Sequence, residues 1–81
     1  MTCGCQCPCC GFRTLTEPAA YEICPVCYWE DDGQNDVSAD EIWGGPNKDL
    51  SLTQARLNFK NFGAFDLDFR DHVRLPDESE R

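Results

Sequence analysis

Histidine, basic side chains and long apolar runs are all scarce in this sequence. His72 is the single histidine in 81 residues, so a Cys/His nucleophile pair or a histidine-rich catalytic metal site has almost nothing to be built from, and His72 reads as a surface residue. Lysine and arginine number seven against fifteen acidic residues, for a formal charge of -8. Affinity for a phosphate backbone comes largely from basic side chains that displace counterions. The expectation is therefore no nucleic-acid partner, and a basic protein as the natural one. No stretch approaches the roughly 20 apolar residues that span a bilayer, so no membrane partner is expected. The start, Met-Thr-Cys-Gly-Cys-Gln-Cys-Pro, has no basic opening, apolar run or cleavage site. It does not read as a secretory signal, and a cytoplasmic location is expected.

Sulfur is what the chain has in excess, with seven cysteines. The length leaves room for one domain, read as residues 1–76 with a charged tail at 77–81. A chain this short hides too little apolar surface to be comfortably stable from its core alone, so a staple is expected. In a reducing compartment the thiols stay free, and an odd count leaves one sulfur unpaired in any disulfide scheme. Both arguments favour metal ligation.

The cysteines carry an internal repeat. Cys7-Pro8-Cys9-Cys10-Gly11-Phe12 aligns with Cys24-Pro25-Val26-Cys27-Tyr28-Trp29, 17 residues further on. Zinc takes four thiolates in a tetrahedron, and two Cys-x-x-Cys knuckles joined by a hairpin bring four sulfurs to one point. Cys7, Cys10, Cys24 and Cys27 are the expected ligands of one zinc ion. Pro8 and Pro25 fix the backbone angle just after the first ligand of each pair, and Gly11 can take the left-handed conformation that closes such a turn. Tyr28 stands where the second knuckle would place its glycine, so that turn is either strained or closed differently. A closed four-thiolate shell leaves no position for water or substrate, which makes the ion structural rather than catalytic. Ligating thiols are deprotonated, so a filled site adds roughly two negative charges to an already acidic chain.

The repeat also sorts the other sulfurs. Cys9 aligns with Val26, an apolar middle position, and is expected to pack rather than ligate. Cys3 and Cys5 precede the repeat and read as free thiols near a frayed start.

Between the knuckles, Phe12 to Thr16 and Tyr21 to Ile23 are rich in β-branched and aromatic residues, with turn chemistry at Glu17-Pro18-Ala19-Ala20. They predict a β-hairpin with a knuckle at each base. Ser51-Leu52-Thr53-Gln54 fits a capping box and Gly63 a helix end, which predicts a helix over 52–62 with Leu52, Ala55, Phe59 and Phe62 on one face. Asp66 to Arg74 reads as a second short helix, although Phe65, Leu67 and Phe69 alternate like a strand. The fold class is thus a small α+β metal-stabilised domain, a zinc-ribbon hairpin with two knuckles (metal site 7–27) packed on a C-terminal helix, with an acidic loop at 30–49.

That loop holds the densest acidic run, Trp29-Glu30-Asp31-Asp32-Gly33-Gln34-Asn35-Asp36. It does not fit the calcium-loop pattern. As a docking surface for a basic partner its residues would be Trp29, Glu30, Asp31 and Asp32, with Trp43 as a neighbouring aromatic anchor; as a solvated loop with Trp43 covering the core edge they would do nothing more. No pair of carboxylates is placed across a pocket, so enzyme activity is not expected.

These residues resemble the bacterial cysteine-rich CPCC family of small proteins. The resemblance is carried by Cys7-Pro8-Cys9-Cys10-Gly11, Cys24-Pro25-Val26-Cys27-Tyr28-Trp29-Glu30-Asp31-Asp32-Gly33, the Gly44-Gly45-Pro46-Asn47 turn, and Ser51-Leu52 through Ala55-Arg56-Asn58-Phe59 to Phe62-Gly63-Ala64. It implies a zinc-ribbon or rubredoxin-like knuckle and packing of the acidic segment and helix on it. Three functions remain open. One is an acidic interaction module, an immunity protein or antitoxin in its sharpest form. Another is a rubredoxin-like iron electron carrier, against which Tyr28 stands, since rubredoxin knuckles carry glycine after both pairs. The third is a metal-handling protein that passes a soft ion through Cys3, Cys5 and Cys9.

Overall fold

The first half of the chain is shaped by closures only a few residues long. The structure is a computed structural model and describes residues 4–81; the reading of Cys3 lies outside the described residues. Strand β1 (Cys5–Gln6) pairs antiparallel with β2 (Arg13–Leu15), with Cys5 opposite Leu15 and Gln6 opposite Arg13. Two residues of β1 therefore face three of β2, a bulge whose extra residue is Thr14. Gly4 makes the approach to β2 possible, because a Cβ there would stand 2.6 Å from the Arg13 carbonyl oxygen.

The hairpin expected between Phe12–Thr16 and Tyr21–Ile23 does not form. Ile23 instead bridges Glu30, the Asp31 N–H donates to the Glu22 carbonyl (3.0 Å) and the Tyr21 N–H to the Asp31 carbonyl (2.9 Å). Each knuckle is thus flanked by its own short ladder, 5–6 with 13–15 around the first and 21–23 with 30–31 around the second. Loop closure is the physical reason: pairing across one's own knuckle closes a short loop that the knuckle has already bent. The two-stranded antiparallel hairpin is thus β1 with β2 around the first knuckle, and a shorter ladder flanks the second.

Helix α1 (Leu52–Phe62) has the boundaries that its caps dictate. The Ser51 hydroxyl accepts from the Gln54 N–H (3.0 Å), and Gly63 closes the far end at φ 83° with its N–H on the Phe59 carbonyl. The Gln54 side chain does not reach back to complete the box and donates to Asn58 Oδ1 (2.9 Å) instead. Leu52 and Ala55 are fully buried. Phe59 is half-buried, edge-on to Phe12 at 6.4 Å between centroids, and Phe62 is exposed, so the apolar stripe fades toward the C-terminus. The helix is moored to the acidic loop at its start, where the Thr53 N–H donates to the Ala39 carbonyl (2.9 Å) and the Thr53 hydroxyl to Asp40 (2.6 Å).

The segment expected as a second helix is a 3-10 helix, Leu67–His72, begun by Asp66 Oδ1 accepting from the Asp68 N–H. At six residues it is longer than most 3-10 runs, and Phe69 is its one ring turned inward, stacked between Tyr28 (5.0 Å) and Phe65 (5.4 Å). The core centres on Trp29, fully buried and T-shaped against Phe65 at 5.8 Å, with Leu15, Val26, Leu52 and Ala55 around them. Residues 77–81 fold back: Arg74 pairs with Glu80 (2.9 Å) and the Arg13 guanidinium donates to the Arg81 carbonyl (3.0 Å). Among the described residues no helix is long and apolar enough to cross a membrane.

Candidate metal centre

Both knuckles are built by the same hydrogen bonds. In the first, the Cys7 N–H donates to the Phe12 carbonyl (2.9 Å) and the Gly11 N–H to the Cys7 carbonyl (2.8 Å); in the second, the Cys24 N–H donates to Trp29 (2.9 Å) and the Tyr28 N–H to Cys24 (2.8 Å). Gly11 has φ 80° and Tyr28 φ 71°. The question left open by the missing glycine is answered: Tyr28 takes the left-handed conformation, which a side chain resists by about 1–2 kcal/mol, and its ring is held against Phe69 and His72.

This closure brings Cys7, Cys10, Cys24 and Cys27 together, with all four sulfurs within 4.8 Å of one another. Across the knuckles, Cys7 Sγ lies 3.5 Å from Cys27 Sγ and Cys10 Sγ 3.7 Å from Cys24 Sγ. A tetrahedron with zinc–sulfur bonds near 2.3 Å has edges of about 3.8 Å, so the donor set fits a tetrahedral thiophilic ion. Cys7, Cys24 and Cys27 are buried and Cys10 half-buried.

Electrostatics gives the same answer. Hydrogen bonding with Cys10 and Cys24, then burial, pushes the Cys7 thiol well up; contact with Cys24 and Cys27 does the same to Cys10. Cys24 alone is driven far down, by hydrogen bonds from Cys10, Cys27 and Cys7, with Thr14 adding to them. Four thiolates this close repel one another, so all four can be deprotonated together only with a cation among them. Among the described residues every cysteine is a free thiol. Cys9 packs into the core at 7 % exposure and is not one of the four, while Cys5 Sγ donates to the Thr16 carbonyl at 3.6 Å.

The acidic segment is laid out differently from its sequence reading. Trp29 is 0 % and Asp31 5 % exposed, so neither can face a partner. Trp29 fills the core, and Asp31 accepts from the Ala19 N–H (2.8 Å) and the Gly33 N–H (3.3 Å), tying two loops together. Glu30 and Asp32 are half-buried, and Asn47 holds them: its Oδ1 accepts from the Glu30 N–H (3.0 Å), and its Nδ2 donates to the Glu30 carbonyl (2.7 Å) and toward Asp32 (3.4 Å). Asn47 thus serves Glu30 as a neighbouring strand would. Gln34 organises the rest of the loop by donating to the Ser38 and Glu41 carbonyls. Its Oε1 and the Trp29 indole N–H are buried without a partner among the described residues. Trp43 does lie at the surface, with its indole N–H on Glu41 (2.9 Å), and Val37 and Ile42 are exposed near it in sequence.

Sequence reasoning missed Asn47, Gln34 and Thr14, whose hydroxyl lies 2.9 Å from Cys24 Sγ. Asn47 had a signal in the Gly-Gly-Pro-Asn turn; a glutamine or threonine in these positions had none.

Fold and site define a small cysteine-rich domain in which four clustered thiols could hold a metal ion. The model of the cysteine-rich CPCC family matches residues 5–80, and the chain belongs to that family. No curated protein is significantly similar to it.

Proposed function

We propose that this chain is a structural-metal protein, non-enzymatic, in which one zinc ion held by Cys7, Cys10, Cys24 and Cys27 fixes a fold whose acidic surface docks a basic protein. The observation that carries the metal reading is the clustering of four sulfurs within 4.8 Å, with all four valences of a tetrahedral ion taken. In small modules such a site supplies folding energy on the order of 10 kcal/mol. The docking half rests on charge and exposure. Asp36, Asp40 and Glu41 alternate along the chain with Val37 (95 % exposed), Ile42 (61 %) and Trp43 (47 %), in a molecule of formal charge -8. Exposed apolar side chains that neighbour acidic ones in sequence suit a basic partner with an apolar centre, although Asp36 is already paired with Arg56 (2.6 Å). An immunity protein or antitoxin is the sharpest form of this reading.

Native mass spectrometry with and without a chelator tests the metal reading, which expects one zinc per chain and is lost if the purified protein carries none. Co-purification with the product of an adjacent toxin-like gene tests the partner reading; unchanged survival of cells that express that toxin without this protein overturns the immunity form.

A rubredoxin-like iron centre is the second reading. The feature that speaks for it is Tyr28, which adopts the conformation that glycine has in such knuckles. Iron-loaded protein would be red and bleach on reduction, whereas zinc protein is colourless. The metal-handling reading requires more than one ion per chain, so the same mass measurement decides it.

A further inference from the structure

Of the four clustered sulfurs, Cys24 is the one that takes hydrogen bonds from groups that are not cysteines, among the described residues. The Thr14 hydroxyl stands 2.9 Å from Cys24 Sγ, and the Val26 N–H points to the same atom at 3.4 Å. Thr14 reaches it because of the bulge. As the extra residue between Arg13 and Leu15 it lies outside the regular alternation of β2, and bulges re-aim a side chain in this way. Leu15 faces the core and Arg13 the solvent, while Thr14 is half-buried. Its own N–H donates back to the Phe12 carbonyl (2.9 Å), which fixes the kink. The first knuckle thus reaches over to a ligand of the second.

We propose that Thr14 is a positioning residue of the metal centre, its hydroxyl donating to the Cys24 thiolate and thereby setting both the seating and the electron donation of that ligand. This rests on the metal reading above. A ligating thiolate keeps lone pairs free, so in the filled site the Thr14 hydroxyl must be the donor. Each donated hydrogen bond withdraws electron density from sulfur, which stabilises the thiolate and tunes the ion it holds. Cys10, opposite Cys24 and only half-buried, has no such donor among the described residues, so the two ligands of that cross-knuckle pair are electronically unlike.

The test replaces Thr14 with valine, which keeps the β-branched shape that suits a strand, and with serine, which keeps the hydroxyl. Cobalt(II) serves as the probe, read by its sulfur-to-metal charge-transfer absorption, alongside zinc affinity measured by competition with a chromophoric chelator. Wild type is expected to bind one ion per chain. Thr14→Val is expected to lose about 10- to 100-fold in zinc affinity and to move the charge-transfer band to lower energy, since an unbonded thiolate gives up its electrons more readily. Thr14→Ser is expected to restore band and affinity. Val and wild type with the same band and affinity overturn the proposal. An affinity loss with no band shift, or one that serine fails to rescue, also overturns it, by assigning Thr14 a packing role only. Failure of the wild type itself to bind cobalt or zinc overturns the metal reading instead, so the two failures are distinguishable. Circular dichroism of the zinc-saturated variants separates misfolding from altered ligation.

Discussion

Gly11 and Tyr28 occupy the same place in two copies of one turn, each with a positive φ and each donating its N–H to the carbonyl of the first cysteine at 2.8 Å. One position is filled by the residue that takes this conformation freely and the other by a residue that resists it. The second knuckle offsets that resistance with the stack of Tyr28 on Phe69, a kind of contact that contributes about 0.5–1.5 kcal/mol beyond area burial.

Gly11→Ala isolates the backbone cost, because a Cβ at Gly11 would meet no atom within 4 Å. The metal-saturated variant should lose about 1–2 kcal/mol of stability in denaturant unfolding, with metal stoichiometry unchanged. An unaltered midpoint would show that the first knuckle can close without a left-handed residue.

Cys9→Ser and Cys24→Ala should separate packing from ligation. Cys9 is buried and is not one of the four clustered sulfurs, although it lies beside Cys27, so its replacement should leave one ion per chain and cost stability. Cys24→Ala removes a ligand and should abolish tight binding and folded secondary structure together, since metal and folding energies are linked. A strong chelator applied to wild type should give the same unfolded spectrum.

Glu80 supplies a pH dependence with a defined sign. The Arg74 guanidinium, and then the Asp77 N–H, hold its carboxyl below the ordinary value of 4.5, at about 2. A depressed carboxyl stabilises in full above its unfolded value, and the contribution fades as pH falls from 4.5 toward 2. Carbon-13 shifts of the Glu80 carboxyl should titrate in that window, and Glu80→Gln should remove the effect on the 77–81 turn. A carboxyl that titrates at its ordinary value would mean that the Arg74 pair is not held in solution.

Trp43→Ala tests the docking face. Trp43 is half exposed and its removal should change folding stability by no more than about 0.5 kcal/mol. A central aromatic anchor carries about 2 kcal/mol or more of binding, so affinity for the basic partner proposed above, read by titration calorimetry once that partner has been co-purified, should fall at least tenfold. Equal affinity for variant and wild type would move the interface elsewhere.

Legibility in the sequence followed the range of the interactions. Helix α1 was readable to the residue, because Ser51 and Gly63 are local signals that act within one turn. Strand pairing was misread: β-branched composition marked Phe12–Thr16 and Tyr21–Ile23, but composition names strands and not their partners. The partner of β2 is Cys5–Gln6, two residues with no strand signature that are placed there by the knuckle. From the acidic run alone Trp29 and Asp31 read as candidates for a docking surface, and only the family resemblance implied packing of that segment; its inward turn involves Asn47, seventeen residues beyond Glu30. Thr14 was invisible because a bulge has no sequence mark of its own.

Each knuckle finds its own backbone hydrogen bonds within six residues, Cys7 to Phe12 and Cys24 to Trp29. Assembly can therefore proceed in an order. Either half can present two sulfurs before the rest of the chain has collapsed, and an ion caught by one half becomes a tether. Bringing in the second half then closes only the 13-residue span between Cys10 and Cys24, and loops of about 10 residues close in roughly 10–100 ns. On the metal reading proposed above, metal capture and chain folding would be successive steps, the second needing no search for a distant strand.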